Sequence, residues 1–163
     1  MRNLVYRARK ELQKFFPDKE VQCILSKGNT YAWNPLVECG FDMEEMEELC
    51  QLIEKEMDAD IAYEQCTHLL QEYREDFLSE FSDQSWVELQ KSAYDNLLMR
   101  ATHHTCSLLM SKERYDDVIR LSDILGFKYY ANNHIHEFKL IAYCNTNQYP
   151  LALSYYRKLI DIY

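Results

Sequence analysis

A repeat of 34 residues in the last third of the chain restricts its fold more than any other feature. Tyr115 and Tyr149 open the two copies and stand 34 residues apart. The other positions that pair at this spacing are apolar in both copies: Leu108 with Ala142, Leu109 with Tyr143, Val118 with Ala152, Leu121 with Tyr155, and Leu125 with Leu159. A repeat of this length that conserves its apolar positions is typical of stacked supersecondary units, each of which buries its apolar face against the next.

The repeated units are predicted to be helical. The 163 residues include only three glycines and three prolines, too few for a turn-rich β fold. Asp42, Asp58 and Asp83 are suitable helix N-caps, and Gly126 is suitable for a helix end. The predicted helices are 42–56, 58–74, 83–111, 114–125, 131–145 and 148–162. We therefore predict an all-α fold for residues 37–163.

The period resembles that of tetratricopeptide repeats, in which antiparallel helix pairs stack. An earlier copy, at a different offset, shows the same internal pattern in Leu52, Ile53, Ala59, Ala62 and Leu69. Small residues let paired helices approach closely, and large ones fill the groove against the next pair. We therefore predict that Ala62 and Ala152 lie at close helix–helix contacts.

An insertion lies between the first repeat and the second. Its distinctive residues are Tyr73, Arg74, Asp76, Phe77, Leu78, Asp83 and Trp86. A repeat followed by this pattern and a long helix resembles the bacterial transcriptional activator domain of SARP-like (antibiotic-regulatory-protein) activators. This chain has Glu75-Asp76 where the family usually has Gly-Asp. Apolar insertions must bury their side chains or bind something, so we expect Phe77, Leu78 and Phe81 to pack around a largely buried Trp86.

The first 36 residues differ from the rest in charge. Residues 1–36 carry a net charge of +4 and residues 37–163 carry −13, which suggests two parts with different partners. Residues 1–16 have an amphipathic helical pattern with the apolar face Met1, Val5, Ala8, Leu12 and Phe15. Pro17 ends this helix. Two β-prone runs, 21–25 and 30–33, flank the turn residues 26–29 and predict a hairpin.

A basic helix containing Arg7-Ala8-Arg9-Lys10, followed by a hairpin containing Gly28-Asn29-Thr30-Tyr31, resembles the recognition helix and wing of the OmpR-type winged helix. This chain departs from the usual Gly-Tyr pair by placing Asn-Thr between Gly28 and Tyr31. The strands and two helices that normally pack on the recognition helix are missing, so we expect residues 1–36 to be the C-terminal fragment of a winged-helix DNA-binding domain. The resemblance implies these DNA-contacting side chains in the full-length protein: Arg2, Asn3, Tyr6, Arg7, Lys10, Lys27, Asn29 and Thr30.

Other kinds of site are not expected. The six cysteines are irregularly spaced and form no CxxC pair; we interpret Cys50, Cys66, Cys106 and Cys144 as small buried residues in a reducing compartment. His103-His104 and His134-x-His136 lack the i,i+4 spacing with which helical histidines share a metal ion. The glutamates near residue 45 are typical of a solvated helix face. The sequence thus predicts no catalytic residue, metal or cofactor.

The expected function follows from the two resemblances. They imply the C-terminal part of a bacterial DNA-binding transcription regulator that binds promoter DNA through the complete winged helix. The repeat domain is expected to contact RNA polymerase, to self-associate, or both. No apolar run of about 18 residues is present and no signal peptide, so we expect a cytoplasmic protein without a membrane partner. The alternative is a helical-repeat adaptor that binds a partner protein or peptide without DNA binding, with the basic helix as a solvated capping helix. Winged-helix sequence encoded upstream of Met1 would favour the regulator.

Overall fold

The computed structural model describes residues 2–16, 22–38, 40, 42–73, 84–126 and 133–161. The chain divides into two compact units, Met1–Phe41 and Asp42–Tyr163. Each unit is described by itself.

The described residues of the N-terminal unit form one α-helix, a 3-10 turn and one hairpin. Helix α1 is Arg2–Leu12, and a 3-10 turn, Gln13–Phe15, follows it. Strands β1 (Ile24–Lys27) and β2 (Thr30–Trp33) pair antiparallel, with Ile24 opposite Trp33 and Lys27 opposite Thr30. The predicted bounds of the first strand, 21–25, are wrong. The predicted turn included residues 26–29, but the turn contains only Gly28 and Asn29, so β1 continues to Lys27. Gly28 has a φ of 63°, which glycine adopts without steric cost in a two-residue hairpin turn.

The predicted apolar face of α1 is only partly covered within this unit. Val5, Ala8 and Leu12 are half-buried, and Phe15 is 79% exposed. Among the residues that the structure describes here, the buried apolar side chains are Cys23 and Val37, which lie on either side of the hairpin. The described part of the unit therefore leaves much of the apolar face of α1 open to solvent.

The C-terminal unit is an all-α helical repeat, as predicted. Its described helices are α2 (Asp42–Ile53), α3 (Ala59–Glu72), α4 (Ser85–Ser111), α5 (Tyr115–Leu125), α6 (Asn133–Asn145) and α7 (Tyr149–Ile160). Each consecutive pair packs together, and α2 also packs on α4, α3 on α5, and α4 on α6. Asp58 caps α3 as predicted, because its carboxylate accepts hydrogen bonds from the Asp60 and Ile61 amides at 2.8 and 3.2 Å. Asp83 lies outside the described residues.

The turns that follow α4 and α6 have the same backbone geometry 34 residues apart. Glu113 and Asn147 have φ values of 57° and 59°. In the first turn the Arg114 amide donates to the Leu109 carbonyl at 3.0 Å. The Glu113 amide of the same turn donates to the Met110 carbonyl at 3.1 Å. In the second turn the equivalent Gln148 and Asn147 amides donate to the Tyr143 and Cys144 carbonyls at 2.8 and 3.1 Å. Both turns are Schellman-type helix ends, so the period read from the sequence is also a structural one.

The core confirms the predicted repeat pattern with two corrections. Ala62 and Ala152 are buried, and Ile53, Ala59 and Leu69 are buried as well. Leu52 is exposed, because the buried face of α2 is formed by residues 46, 50 and 53. Cys144 is also exposed, because it lies on the side of α6 that faces away from the buried Ala142 and Tyr143.

The predicted burial of Trp86 is wrong. Helix α4 starts at Ser85. In its first turn Val87 is the buried residue, and only 1% of its surface is exposed. Trp86 lies about 100° around the helix from Val87 and is 54% exposed, and Leu89 is exposed too. Phe77, Leu78 and Phe81, which were expected to cover it, lie outside the described residues.

No helix in the described ranges has the length and apolar character needed to cross a bilayer.

Candidate nucleic-acid interface

The outer face of α1 presents polar and basic side chains to solvent. Tyr6, Arg7 and Lys10 are all exposed, and their spacing of three residues or fewer places them on adjoining parts of the helix surface. Arg2 and Asn3 belong to α1, but their side chains lie outside the described set. The described members of the predicted DNA-contacting set on this helix are therefore accessible.

Arg9, from the same basic run, has a different role. Its Nε donates to the Ile24 carbonyl at 2.9 Å, and its Nη2 donates to Ser26 Oγ at 2.6 Å. These two bonds connect α1 to strand β1, and the Arg9 side chain is only half-exposed. Arg9 lies about 200° around the helix from Arg7, so it faces the hairpin while Arg7 faces solvent. Sequence patterns alone do not distinguish the two arginines, because the strand that Arg9 contacts is distant along the chain.

The tip of the hairpin presents a second group of predicted residues. Lys27, Asn29 and Thr30 are exposed. Thr30 Oγ1 donates to the Lys27 carbonyl at 2.8 Å across the two-residue turn. At the base of the hairpin, the Asn34 amide nitrogen donates to the Cys23 carbonyl at 2.7 Å, and Trp33 Nε1 donates to the Val37 carbonyl at 2.9 Å. The tip is therefore held on a closed hairpin.

A cleft of about 650 Å³ lies on this unit. Its lining residues come from α1, the 3-10 turn and the segment before β1: Tyr6, Arg9, Lys10, Gln13, Lys14, Phe16, Gln22 and Cys23. Three of them are cations, and Lys14 is paired with Glu11. A concave surface lined by arginine and lysine attracts anions, which matches the net charge of residues 1–36.

The comparison with known families concerns the second unit. A family model described as the bacterial transcriptional activator domain matches residues 41–162. The chain belongs to this family. No curated protein matches the chain, and no solved structure matches it. The match covers all the helices described in the second unit, α2 to α7, and the resemblance drawn from the insertion and the repeat is confirmed.

The surface charge of the activator domain is unevenly distributed over its helices. Helix α2 begins with exposed acidic residues: Asp42, Glu44, Glu45, Glu47 and Glu48. Helix α7 carries no acidic residue and has Arg157 and Lys158 in its last turn. Residues 37–163 are therefore acidic as a whole, but helix α7 carries a positive charge.

An ion pair and two aromatic rings surround a buried lysine between α5, α6 and α7. Lys139 is buried, and its Nζ lies 2.5 Å from Asp123 Oδ1. The same Nζ lies 4.5 Å from the ring centroid of Tyr155 and 5.9 Å from that of Tyr143, within the range of cation–π attraction. Desolvation and then the Asp123 charge raise the pKa of Tyr143. His136 Nδ1 lies 2.7 Å from the Tyr155 hydroxyl. This cluster joins three helices and was not predicted from the sequence.

The histidines and cysteines of the activator domain have structural surroundings. His104 Nε2 donates to the Glu56 carbonyl at 2.7 Å and so connects α4 to the loop after α2. Desolvation, followed by the charges of His134 and His104, lowers the pKa of His103. Burial raises the pKa of Cys50 to about 12 and that of Cys66 to about 11, which keeps both thiols protonated and unreactive. Within the described ranges, no group of three or more histidine, cysteine or acidic side chains is arranged to hold a metal ion.

Proposed function

We propose that this chain is the C-terminal part of a bacterial DNA-binding transcription regulator. Membership of the activator-domain family supports a role in transcription regulation. One observation carries the DNA-binding part of the proposal: Arg9 holds α1 against β1, while Arg7 and Lys10 on the same helix are exposed. A cationic helix braced against a hairpin is the arrangement that a recognition helix and its wing require.

The proposed contacts follow from the chemistry of the side chains in the predicted DNA-contacting set. Helix α1 enters the major groove, where Asn3 and Tyr6 reach base edges and Arg2, Arg7 and Lys10 meet phosphates or guanine edges. At the hairpin tip, Lys27 meets a phosphate and Asn29 donates a hydrogen bond to the sugar-phosphate backbone. Thr30, whose hydroxyl donates to the Lys27 carbonyl, contacts the same backbone without donating to it. In the full-length regulator, the rest of the winged helix covers the apolar face of α1.

The activator domain supplies protein–protein contacts in this proposal. Its charge of −13 repels DNA, so its partner is RNA polymerase, a second copy of the regulator, or both. It performs no bond chemistry, and the protein works in the cytoplasm. The thiols of Cys23, Cys50, Cys66, Cys106 and Cys144 are free, which supports a reducing compartment.

A binding titration tests the proposal. Fluorescence anisotropy of a labelled duplex, titrated with the 163-residue chain at several salt concentrations, should show weak binding that falls as salt rises. Replacing Arg7 and Lys10 together by alanine should reduce the slope of log K against log salt by about 2, because each phosphate contact contributes about 0.9. The control is Arg120→Ala, an exposed arginine of the acidic domain, which should leave binding unchanged.

Two results would contradict the proposal. Tight, sequence-specific binding by this chain alone at physiological salt would show that α1 and the hairpin need no further helices. Equal effects of the Arg7/Lys10 pair and of Arg120→Ala would mean that α1 has no special role in DNA contact, and the adaptor alternative would then be favoured.

A further inference from the structure

A cleft of about 510 Å³ lies in the activator domain, between α4 and α6. Asn96, Met99, Arg100 and His103 line it from α4, and His134 lines it from α6. The α4 residues are spaced by three, one and three positions, which places them on one face of that helix. The volume falls within the range of about 300–1,000 Å³ that small-molecule pockets have. None of these residues belongs to the predicted DNA-contacting set.

The polar lining of the cleft consists of groups that can donate hydrogen bonds. Arg100 contributes a guanidinium, His103 and His134 contribute imidazoles, and Asn96 contributes a side-chain amide. No acidic side chain is among the described lining residues. Met99, which is 8% exposed, adds apolar surface beside these donors. Such a lining suits a molecule that has both an oxyanion and an apolar part.

An ion pair with α2 orients the guanidinium. Arg100 Nε lies 3.0 Å from Glu54 Oε1, and 62% of the Arg100 side chain is exposed. Because Glu54 is held at Nε, the far edge of the guanidinium, formed by Nη1 and Nη2, is directed away from Glu54. That edge can bind two oxygens of one carboxylate or phosphate in a fork geometry.

The two histidines of the cleft lie close together. Their ring centroids are 5.6 Å apart and the rings are nearly perpendicular, at 79°. The His103 ring also packs on Phe138, with the centroids 5.3 Å apart. Desolvation, followed by the charges of His134 and His104, lowers the pKa of His103, so the imidazoles disfavour each other's protonation. An oxyanion beside them has the opposite sign and favours the protonated forms.

We propose that this cleft binds a small organic oxyanion, a carboxylate or a phosphate ester, with its charge on Arg100, His103 and His134 and its apolar part against Met99. An inorganic ion would fill only a small part of the volume, which is why the ligand is organic. The bound molecule contacts α4 and α6, which belong to successive repeats, and therefore stabilises the packing of one repeat on the next. The inference goes beyond the proposed function and does not depend on it.

Binding should strengthen as the pH falls. A bound oxyanion raises the pKa of His103 from its lowered value, so binding takes up protons and is favoured by acid. The other charged or titratable groups near the two histidines are Arg100 and His104 on α4, Glu137 on α6 and Glu54 on α2. Glu137 Oε2 lies 3.8 Å from His134 Nδ1, and His104 is held by the Glu56 carbonyl. The two carboxylates repel an anion, which limits the affinity to about 1 mM.

An NMR titration of the ¹⁵N-labelled 163-residue chain without DNA tests the proposal with two probes, benzoate and phenyl phosphate. The amides of residues 96–103 and 134–138 should shift and saturate with at least one probe, with a Kd of about 1 mM. The Kd should be at least about threefold lower at about pH 6 than at about pH 8, because histidine gains its proton in this range. His103→Gln should reduce this pH dependence.

Two arginine variants test the role of the guanidinium. Arg100→Gln should raise the Kd about tenfold. The matched control is Arg120→Gln, because Arg120 has a similar side-chain exposure (69% against 62%) and also pairs with a carboxylate, but lies on α5 outside the cleft. It should leave the Kd unchanged. If Arg100→Gln loses its circular-dichroism signal, Arg100→Lys replaces it and should also raise the Kd, since lysine keeps the charge but lacks the fork.

The probe that binds identifies the anion: benzoate alone indicates a carboxylate, and phenyl phosphate alone indicates a phosphate ester. The proposal is overturned if neither probe gives saturating shifts up to about 20 mM at about pH 6, or if the uncharged benzyl alcohol binds as tightly. Equal effects of Arg100→Gln and Arg120→Gln, or shifts concentrated in α1, would also overturn it. Shifts around His103 and His134 with Zn²⁺ but with neither probe would instead indicate a metal site.

This test and the DNA-binding test are independent. Because no DNA is present, each of these results leaves the DNA-binding proposal standing. Failure of the anisotropy titration would likewise leave the cleft proposal standing.

Discussion

Replacing Glu113 by glycine should stabilise the activator domain, although it removes a charged side chain from the turn after α4. Glu113 has a φ of 57°, a left-handed conformation that costs an L-residue roughly 1–2 kcal/mol. Its side chain is exposed, so the substitution uncovers no apolar surface. Glycine adopts the same φ without a steric penalty.

The expected gain is the difference between two terms. Removing the left-handed strain gains roughly 1–2 kcal/mol, and the extra freedom of glycine in the unfolded chain costs about 0.5–1 kcal/mol. The net stabilisation is about 0.5–1 kcal/mol, which corresponds to a rise of roughly 2–5 °C in Tm for a domain of this size. Asn147→Gly, at the equivalent turn, should gain less because asparagine tolerates this conformation.

Urea unfolding followed by circular dichroism at 222 nm measures the change. The matched control is Lys112→Gly, one residue earlier, where φ is −101°. There glycine relieves no strain and should lower the free energy of unfolding by about 0.5–1 kcal/mol. If Glu113→Gly and Lys112→Gly destabilise the domain equally, the Schellman-type turn is wrong, and the structural repeat assigned to these turns fails with it.

Three further substitutions or labels test the packing. Ala152→Phe should overpack a buried position of α7 and cost roughly 1–3 kcal/mol; an unchanged thermal midpoint would contradict the repeat register. Trp86→Ala should cost about 1–2 kcal/mol in urea unfolding, since about half of the side chain is exposed and the usual cost of about 3–5 kcal/mol applies to fully buried rings. A loss of about 3–5 kcal/mol would instead show that Trp86 is buried. With maleimide at pH 8, followed by peptide mass mapping, Cys144 should react in the folded chain, whereas Cys66, whose pKa burial raises to about 11, should react only after unfolding. Equal rates would contradict the burial assigned to α3.

The repeat domain could be predicted from the sequence because its information is local and occurs more than once. The spacing of Tyr115 and Tyr149 placed α5 and α7 to within a residue at their starts. The Gly126 helix end and the Asp58 cap were also correct, since both depend on backbone geometry within a few residues. Periodicity fixes which residues share a helical face, and in a repeat each copy checks the other.

Features that depend on tertiary packing could not be predicted in the same way. Trp86 and Val87 are adjacent, and only the packing of α4 on its neighbours decides which of them is buried. Arg7 and Arg9 look alike in the basic run, but a contact with a strand fifteen residues away holds Arg9. Lys139 was not singled out at all, because its partner Asp123 lies on another helix. In each case the deciding contact joins elements that periodicity describes separately.

In the proposed regulator, α1 and the hairpin tip contact DNA and the activator domain does not. Titrating the ¹⁵N-labelled 163-residue chain with a short duplex, and following the amide shifts by NMR, tests this division because the method detects weak binding residue by residue. We expect shifts that grow with added duplex along Arg2–Leu12 and around residues 27–30 and that shrink as salt rises. The amides of α2 to α7 should not shift. Shifts concentrated in α2 to α7, or none in α1 at any concentration of duplex, would contradict it.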